Sequence, residues 1–252
     1  MKVIENISYT SAQLPLQVLD LYLPDCESFP VVIYFHGGGI VGGNKKERFL
    51  EYLQAKGVAV ISANYRLYPD AAYPDFIRDA AAAVAWAYKH MPEYGEITGY
   101  FVGGSSAGGY LTQMLCFDKK YLMLHNIDPD TVNGYIMDAG QPTTHFNVLK
   151  ERGIDSRRVI VDEAAPLYHV AGERKYPPMQ IIVSDHDMEN RLEQTQLLIS
   201  TLKHFGCDMS RVDYRLMENC RHCQYTRRDD ETFKGVFSQM ICEFIEKYSQ
   251  KS

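Results

Sequence analysis

The chain has 252 residues, 46% hydrophobic and 23% charged, with a formal net charge of −6 and a pI near 5.8. That length suits one α/β domain with a large core and no second domain. The acidic balance, without a basic stripe or a Lys/Arg run, argues against nucleic acid and anionic membranes as partners.

Taken in chain order, residues 6–23 alternate loosely and read as two edge strands ending at Pro24-Asp25. Val31 to Phe35 is a continuous apolar run, the form of a strand buried on both faces of a parallel sheet. Lys45 to Lys56 carries Phe49, Leu50 and Leu53 at helical spacing and stops at Gly57. Val58 to Ser62 is a second buried strand. Pro74 opens a helix with Phe76, Ile77, Ala80, Ala81, Val84 and Ala87 on one face. Ile97 to Val102, Tyr135 to Met137, Met179 to Val183 and Val212 to Leu216 are further strands. Glu189 to His204 and Thr232 to Tyr248 are helices, the second with Phe233, Val236, Phe237, Met240, Ile241, Phe244 and Ile245 inward. This alternation predicts a doubly wound, mostly parallel α/β sheet in a single domain spanning 1–252. Residues 139–177 exceed a normal connection. They read either as a small cap over the C-terminal edge of the sheet or as a crossover helix with long loops.

Within that frame, Phe101-Val102-Gly103-Gly104-Ser105-Ser106-Ala107-Gly108-Gly109 places Ser106 in G-x-S-x-G between a strand and a helix. This is the sequence form of a nucleophile elbow, a turn so sharp that Gly104 and Gly108 have no room for a Cβ. His36-Gly37-Gly38-Gly39 follows the buried strand at 31–35. Acyl transfer builds negative charge on a former carbonyl oxygen, and glycines let backbone N–H groups come close enough to stabilise it. The N–H groups of the Gly37-Gly38-Gly39 run and of Ala107, the residue after the serine, are the expected donors. His36 is expected to brace this loop.

A serine nucleophile needs a base, and the base needs an orienting acid, in the chain order Ser, Asp or Glu, His. His222, beyond the last strand, is the candidate base. Ser184-Asp185-His186-Asp187 offers two carboxylates after the penultimate strand. Asp187 is taken as the acid and Asp185 as the reserve, free to cap the following helix. The six cysteines (Cys26, Cys116, Cys207, Cys220, Cys223, Cys242) are scattered and form no disulfide framework. Cys220-Arg221-His222-Cys223 has no partner motif that would complete a tetrahedral metal set. The apolar stretches are far shorter than a membrane span, and the first residues hold no signal-peptide core. A cytoplasmic protein is expected.

The runs Ala63-Asn64-Tyr65-Arg66-Leu67-Tyr68-Pro69, Tyr73-Pro74 and Asp79-Ala80-Ala81-Ala82-Ala83-Val84-Ala85-Trp86 add a resemblance. With the HGGG loop and the Gly-Ser-Ser-Ala-Gly-Gly elbow, they look like the α/β-hydrolase carboxylesterases of the hormone-sensitive-lipase-like and microbial acetylesterase branch. The resemblance covers most of residues 30–225. It implies an α/β-hydrolase fold and a serine carboxylesterase that needs no metal or organic cofactor. Its catalytic residues would be Ser106, Asp187 and His222, its oxyanion donors Gly38, Gly39 and Ala107, and its substrates small esters of short acyl groups, acetylated or feruloylated compounds and sugars among them. Ser105 departs from the group's usual acidic residue, Ser184 from the glycine of its acid loop, and Cys223 from the glycine that often follows the base. The short stretch before HGGG leaves no room for that group's helical N-terminal lid. Kynurenine formamidase-like amidases share the same pieces. So do binding proteins on the same scaffold that have lost the base, although His222 is present here. Thr143, Thr144, His145 and Phe146 are candidates for shaping the pocket. A homodimer through the terminal helix or an edge strand is compatible with this size, though no exposed apolar stripe demands one.

Overall fold

The computed structural model describes residues 2–47, 49–172, 174–226 and 235–249. Its elements run β1 (Lys2–Ser8), β2 (Val18–Leu23), β3 (Ser28–Phe35), α1 (Leu50–Ala55), β4 (Ala59–Ala63), α2 (Asp75–His90), β5 (Glu96–Ser105) and α3 (Ala107–Phe117). They continue with α4 (Lys120–Met123), β6 (Gly134–Asp138), α5 (Phe146–Glu151), β7 (Met179–His186), α6 (Arg191–His204), β8 (Val212–Arg221) and α7 (Val236–Tyr248). One 8-stranded sheet has the order β1-β2-β4-β3-β5-β6-β7-β8. The pairs β1/β2 and β2/β4 are antiparallel, and every other neighbouring pair is parallel.

Strand periodicity divides the core between the two faces. Along β3, Val31, Ile33 and Phe35 join the cluster containing Phe76, Val84, Leu111 and Met114 of α2 and α3. Val32 and Tyr34 join the opposite cluster, with Leu50 and Leu53 of α1 and Ile241 and Phe244 of α7. Alternate side chains on a strand point to opposite faces, so a sheet covered on both sides needs apolar residues at every position. That is why these strands read as unbroken apolar runs. The helix α3 is buried at every residue from Ala107 to Phe117 and has no polar face.

The expected helix at 45–56 begins only at Leu50. The Lys45 backbone is held elsewhere: its N–H donates to Asn64 Oδ1 at 2.7 Å and its carbonyl accepts from Ser62 Oγ at 2.7 Å. Its ammonium binds the buried Asp20 carboxylate at 2.6 Å and Asn6 Oδ1 at 3.0 Å. Sheet-edge hydrogen bonds thus override the helical spacing. Likewise β2 is not an edge strand, because β1 covers it on one side and β4 on the other. For the terminal helix, Thr232 and Phe233 lie outside the described residues, and α7 is described from Val236. Among the described residues, no helix is long and apolar enough to cross a membrane.

The chain reverses its direction of strand addition between β3 and β5, since β4 lies on one side of β3 and β5 on the other. The loops leaving these two strands therefore diverge and open a crevice at the C-terminal edge of the sheet. Residues 36–43 and Ser106 emerge there.

Replacing Lys45 by Met removes one member of a buried ion pair and should destabilise the fold by about 3 kcal/mol. The same change at the half-exposed Lys46, which also contacts Asp20, should cost under about 1 kcal/mol. Urea denaturation of the two variants checks the contrast.

Candidate active site

Five strands of the sheet end at one crevice, and each delivers a loop to it. Ser106 follows β5 with φ 56° and ψ −112°, a conformation that side chains other than glycine seldom adopt. It is held by its own N–H, which donates to the Asp138 carbonyl at 2.8 Å. The small neighbours leave no choice of residue. A Cβ on Gly108 would lie 1.9 Å from the Phe35 carbonyl oxygen, and one on Gly104 would lie 2.5 Å from Gly108 backbone atoms.

Strand register brings the remaining groups together. His186 of β7 pairs with Arg221 of β8, so Asp187 and His222 leave the sheet side by side. His222 Nε2 lies 2.8 Å from Ser106 Oγ, and His222 Nδ1 lies 2.5 Å from Asp187 Oδ1. In this arrangement Nδ1–H donates to the carboxylate and Nε2 accepts from the serine hydroxyl. The Asp187 side chain is almost completely buried. It also accepts the Met188 N–H at 2.7 Å.

Asp185 sits elsewhere. Its carboxylate accepts the N–H groups of Asn219 at 2.8 Å and Cys220 at 3.1 Å, and these backbone bonds hold it below the usual aspartate range. It does not cap α6, whose N-cap Asn190 makes no side-chain cap bond. Asp185 instead ties the end of β8, and with it the His222 loop, to β7.

The loop after β3 turns through Gly38 (φ 111°) and Gly39 (φ 65°). Among the described residues, the N–H groups of Gly38 and Gly39 meet no backbone acceptor. The Ala107 N–H opens α3, where helix geometry supplies no partner. Gly37, which precedes Gly38 and Gly39, is the member of this loop that comes close to the nucleophile position: a Cβ there would stand 3.3 Å from Ser106 Cβ. His36 braces this loop: it stacks on Tyr65 at 4.5 Å, its Nδ1 lies 2.7 Å from the Gly37 carbonyl, and Tyr65 OH donates to the His36 carbonyl at 2.8 Å. Burial lowers the His36 pKa to about 4, so the ring is neutral at pH 7. Arg66, the next residue, clasps the buried Asp79 of α2 with both Nε and Nη2 at 2.8 Å. Tyr65, within the run that carries the sequence resemblance, thus braces the glycine loop, and Arg66 pins that run to α2.

The segment between β6 and β7 faces this loop. Asn147 of α5 donates to the Gly39 carbonyl, and Phe146 lies 3.5 Å from where a Gly39 Cβ would stand. Phe146 lines a cavity of about 210 Å³ together with Gln141, Met188 and Arg191. Thr143, Thr144 and His145 do not line it. All three are buried: Thr143 donates to Gln194 at 2.9 Å, Thr144 to Asp162 at 2.7 Å, and His145 caps α5. These three support the segment from beneath. An open groove of about 730 Å³ runs past Asp187 and His222 and shares Met188 with the Phe146 cavity.

Sequence reasoning overlooked Asp138 and Arg191. Asp138 ends β6 beneath the elbow, fully buried. Arg191, also buried, donates to the Ala139 carbonyl and to Gln141 Oε1 at 3.3 Å. An aspartate closing the apolar run Tyr135-Ile136-Met137 was the one available signal, since a carboxylate at the end of a buried strand must find partners.

Residues 19–146 match the family model described as BD-FAE. Tuliposide A-converting enzyme b1 from Tulipa gesneriana is 34% identical over 111 residues, which is 36% of this chain and 30% of that enzyme. The chain thus spans under a third of the length of that relative. Esterase LipC from Mycobacterium tuberculosis is 26% identical over 234 residues, 82% of this chain and 57% of that protein. Esterase B from Lactobacillus rhamnosis superposes with a TM-score of 0.79 at 20% identity, covering 97% of this chain and 85% of that one. The sheet order and these likenesses show the α/β-hydrolase fold.

Replacing Gly108 by Ala should destabilise the protein by about 3 kcal/mol or more, because the new methyl meets main-chain oxygen rather than a movable side chain. Thermal denaturation followed by circular dichroism measures it.

Proposed function

The chain belongs to the BD-FAE family, and on that footing we propose that it is a serine carboxylesterase hydrolysing short-chain acyl esters through an acyl-enzyme intermediate. The observation that carries this reading is the unbroken hydrogen-bond line from Ser106 Oγ through His222 to Asp187. His222 takes the hydroxyl proton on Nε2 as Ser106 attacks the ester carbonyl. Asp187 keeps the proton on Nδ1 and offsets the imidazolium charge. The oxyanion is received by the N–H groups of Gly38, Gly39 and Ala107, each typically worth about 3–4 kcal/mol in the transition state. His222 then gives its proton to the leaving alcohol. A water molecule, activated by the same nitrogen, releases the acid and restores the serine.

A short acyl group is the reading that the cavity of about 210 Å³ beside Phe146 and Met188 supports. The open groove past His222 leaves room for a larger alcohol, a sugar or phenolic residue included. Acetylated and feruloylated compounds are the substrate classes this reading names. A cytoplasmic location belongs to the same reading, supported by six cysteines of which none is disulfide-bonded.

Ser106→Ala should abolish turnover of p-nitrophenyl esters while leaving the melting temperature unchanged. Asp187→Asn should lower kcat by about a thousandfold or more, whereas Asp185→Asn should lower it by about tenfold or less and reduce stability instead. Activity across acyl lengths from acetate to decanoate should peak at the short end. A folded wild type that cleaves N-formyl anilides and no ester would replace the esterase reading with a formamidase. One that cleaves neither, while binding small ligands, would make it a receptor.

A further inference from the structure

Asp138 is fully buried directly behind the elbow and belongs to none of the catalytic roles above. It pairs in register with Ser105 across β5 and β6. Its carboxylate accepts from Ser105 Oγ and from Tyr225 OH, and Ser105 Oγ is 2.5 Å from Tyr34 OH. Cys223 Sγ stands 3.9 Å from Asp138 Oδ2 and 3.7 Å from His222 Nε2. The carboxylate therefore lies one sulfur atom away from the histidine edge that handles the proton. The Asp138 main-chain carbonyl meanwhile holds the Ser106 N–H. A single residue touches the nucleophile's backbone and faces its base.

We propose that Asp138 is a positioning residue whose buried negative charge, held beside Ser105 at the end of β6, stabilises protonated His222. The inference rests on reading Ser106 as the nucleophile and His222 as its base. The neighbours fit a charge retained rather than neutralised. Ser105 and Tyr225 donate to the carboxylate, while Tyr34 is fully buried and serves as a donor into the same network. Burial raises the Asp138 pKa to about 6, opposed by the Ser105 and Tyr225 hydrogen bonds and by His222. The carboxylate is thus mostly ionised at pH 7 and above. The other charges nearby are Asp187, which opposes ionisation of Asp138, and Glu47 and Arg191, which act on Cys223 from the segment before α1 and from α6. Two carboxylates then flank one imidazole: Asp187 at Nδ1 by a direct bond, and Asp138 at the Nε2 edge across Cys223. An ionised Asp138 favours the imidazolium over the neutral ring, so its removal should raise the barrier to proton transfer.

The test is the pH dependence of labelling by a fluorophosphonate probe, which needs a competent serine and histidine but no particular substrate. It is run with kcat and KM on p-nitrophenyl acetate. Wild type should label at Ser106, with a rate that falls at acid pH. Asp138→Asn should slow labelling about tenfold and move the acidic midpoint down by about half a pH unit or more, lowering kcat with KM nearly unchanged. The double variant S105D/D138S, which moves the carboxylate to the neighbouring strand, should recover the wild-type midpoint. A midpoint unchanged in Asp138→Asn, or an equal loss at every pH without recovery in the double variant, would overturn the proposal and leave Asp138 a structural residue. If Asp138→Asn does not fold, the double variant decides alone: a wild-type midpoint supports the proposal and a shifted one overturns it. An unlabelled wild type overturns the nucleophile assignment itself, and that result is distinct because it appears before any variant is compared.

Discussion

The structure turns on the contact between α3 and the ends of β3 and β6. The main chain of Gly108 packs against the Phe35 carbonyl, and that of Gly109 against the Asp138 carbonyl and Gly140. Without a Cβ at these positions, α3 approaches the sheet closely enough to force the turn at Ser106 into its strained conformation. Backbone strain of this kind costs about 1–3 kcal/mol and persists only where the surroundings over-determine it. Here they do, because α3 is enclosed along its whole length and the Ser106 N–H is fixed by the strand next door.

Once the elbow is fixed, register places the rest of the site. The parallel pairing of β7 and β8 aligns His186 with Arg221, so the Asp187 and His222 loops leave the sheet as neighbours. Asp185 stitches the two strands at that same level. The loop after β3 is held from below by the Tyr65–His36 stack, and the segment after Tyr65 is pinned to α2 by the Arg66–Asp79 clasp. Their effect is to hold the reacting atoms and N–H donors rigid, and preorganised groups of this kind do not have to reorganise as charge develops.

Buried charge is handled in two ways. Lys45 and Asp20 satisfy each other far from the site and fix the entry to α1. Asp138 and Arg191 lie beside the site with no carboxylate–guanidinium pair between them. Asp138 is served by hydroxyl groups and Arg191 by a carbonyl and an amide oxygen. Hydrogen bonds to neutral partners satisfy geometry but leave the charge largely uncancelled. Its field therefore reaches the neighbouring histidine and aspartate.

By itself the sequence determined the strands and the elbow, and it marked a serine, an acid and a histidine as candidates for one site. Each of these leaves a local mark: an unbroken apolar run for a strand covered on both faces, glycines where no Cβ fits, and a serine, an acid and a histidine in fixed chain order. The choice of Asp187 over Asp185 was less legible, because two carboxylates two residues apart at a strand end look alike until the fold shows which one faces His222. The late start of α1, the support given by Thr143, Thr144 and His145, and the placement of Asp138 lay beyond the sequence altogether. They depend on contacts between segments distant in the chain, such as Lys45 with Asp20 and Asn64, or Asp138 with Ser105 and Tyr225. Only the folded sheet decides which side chains meet there, because pairing register rather than sequence distance sets what stands beside what.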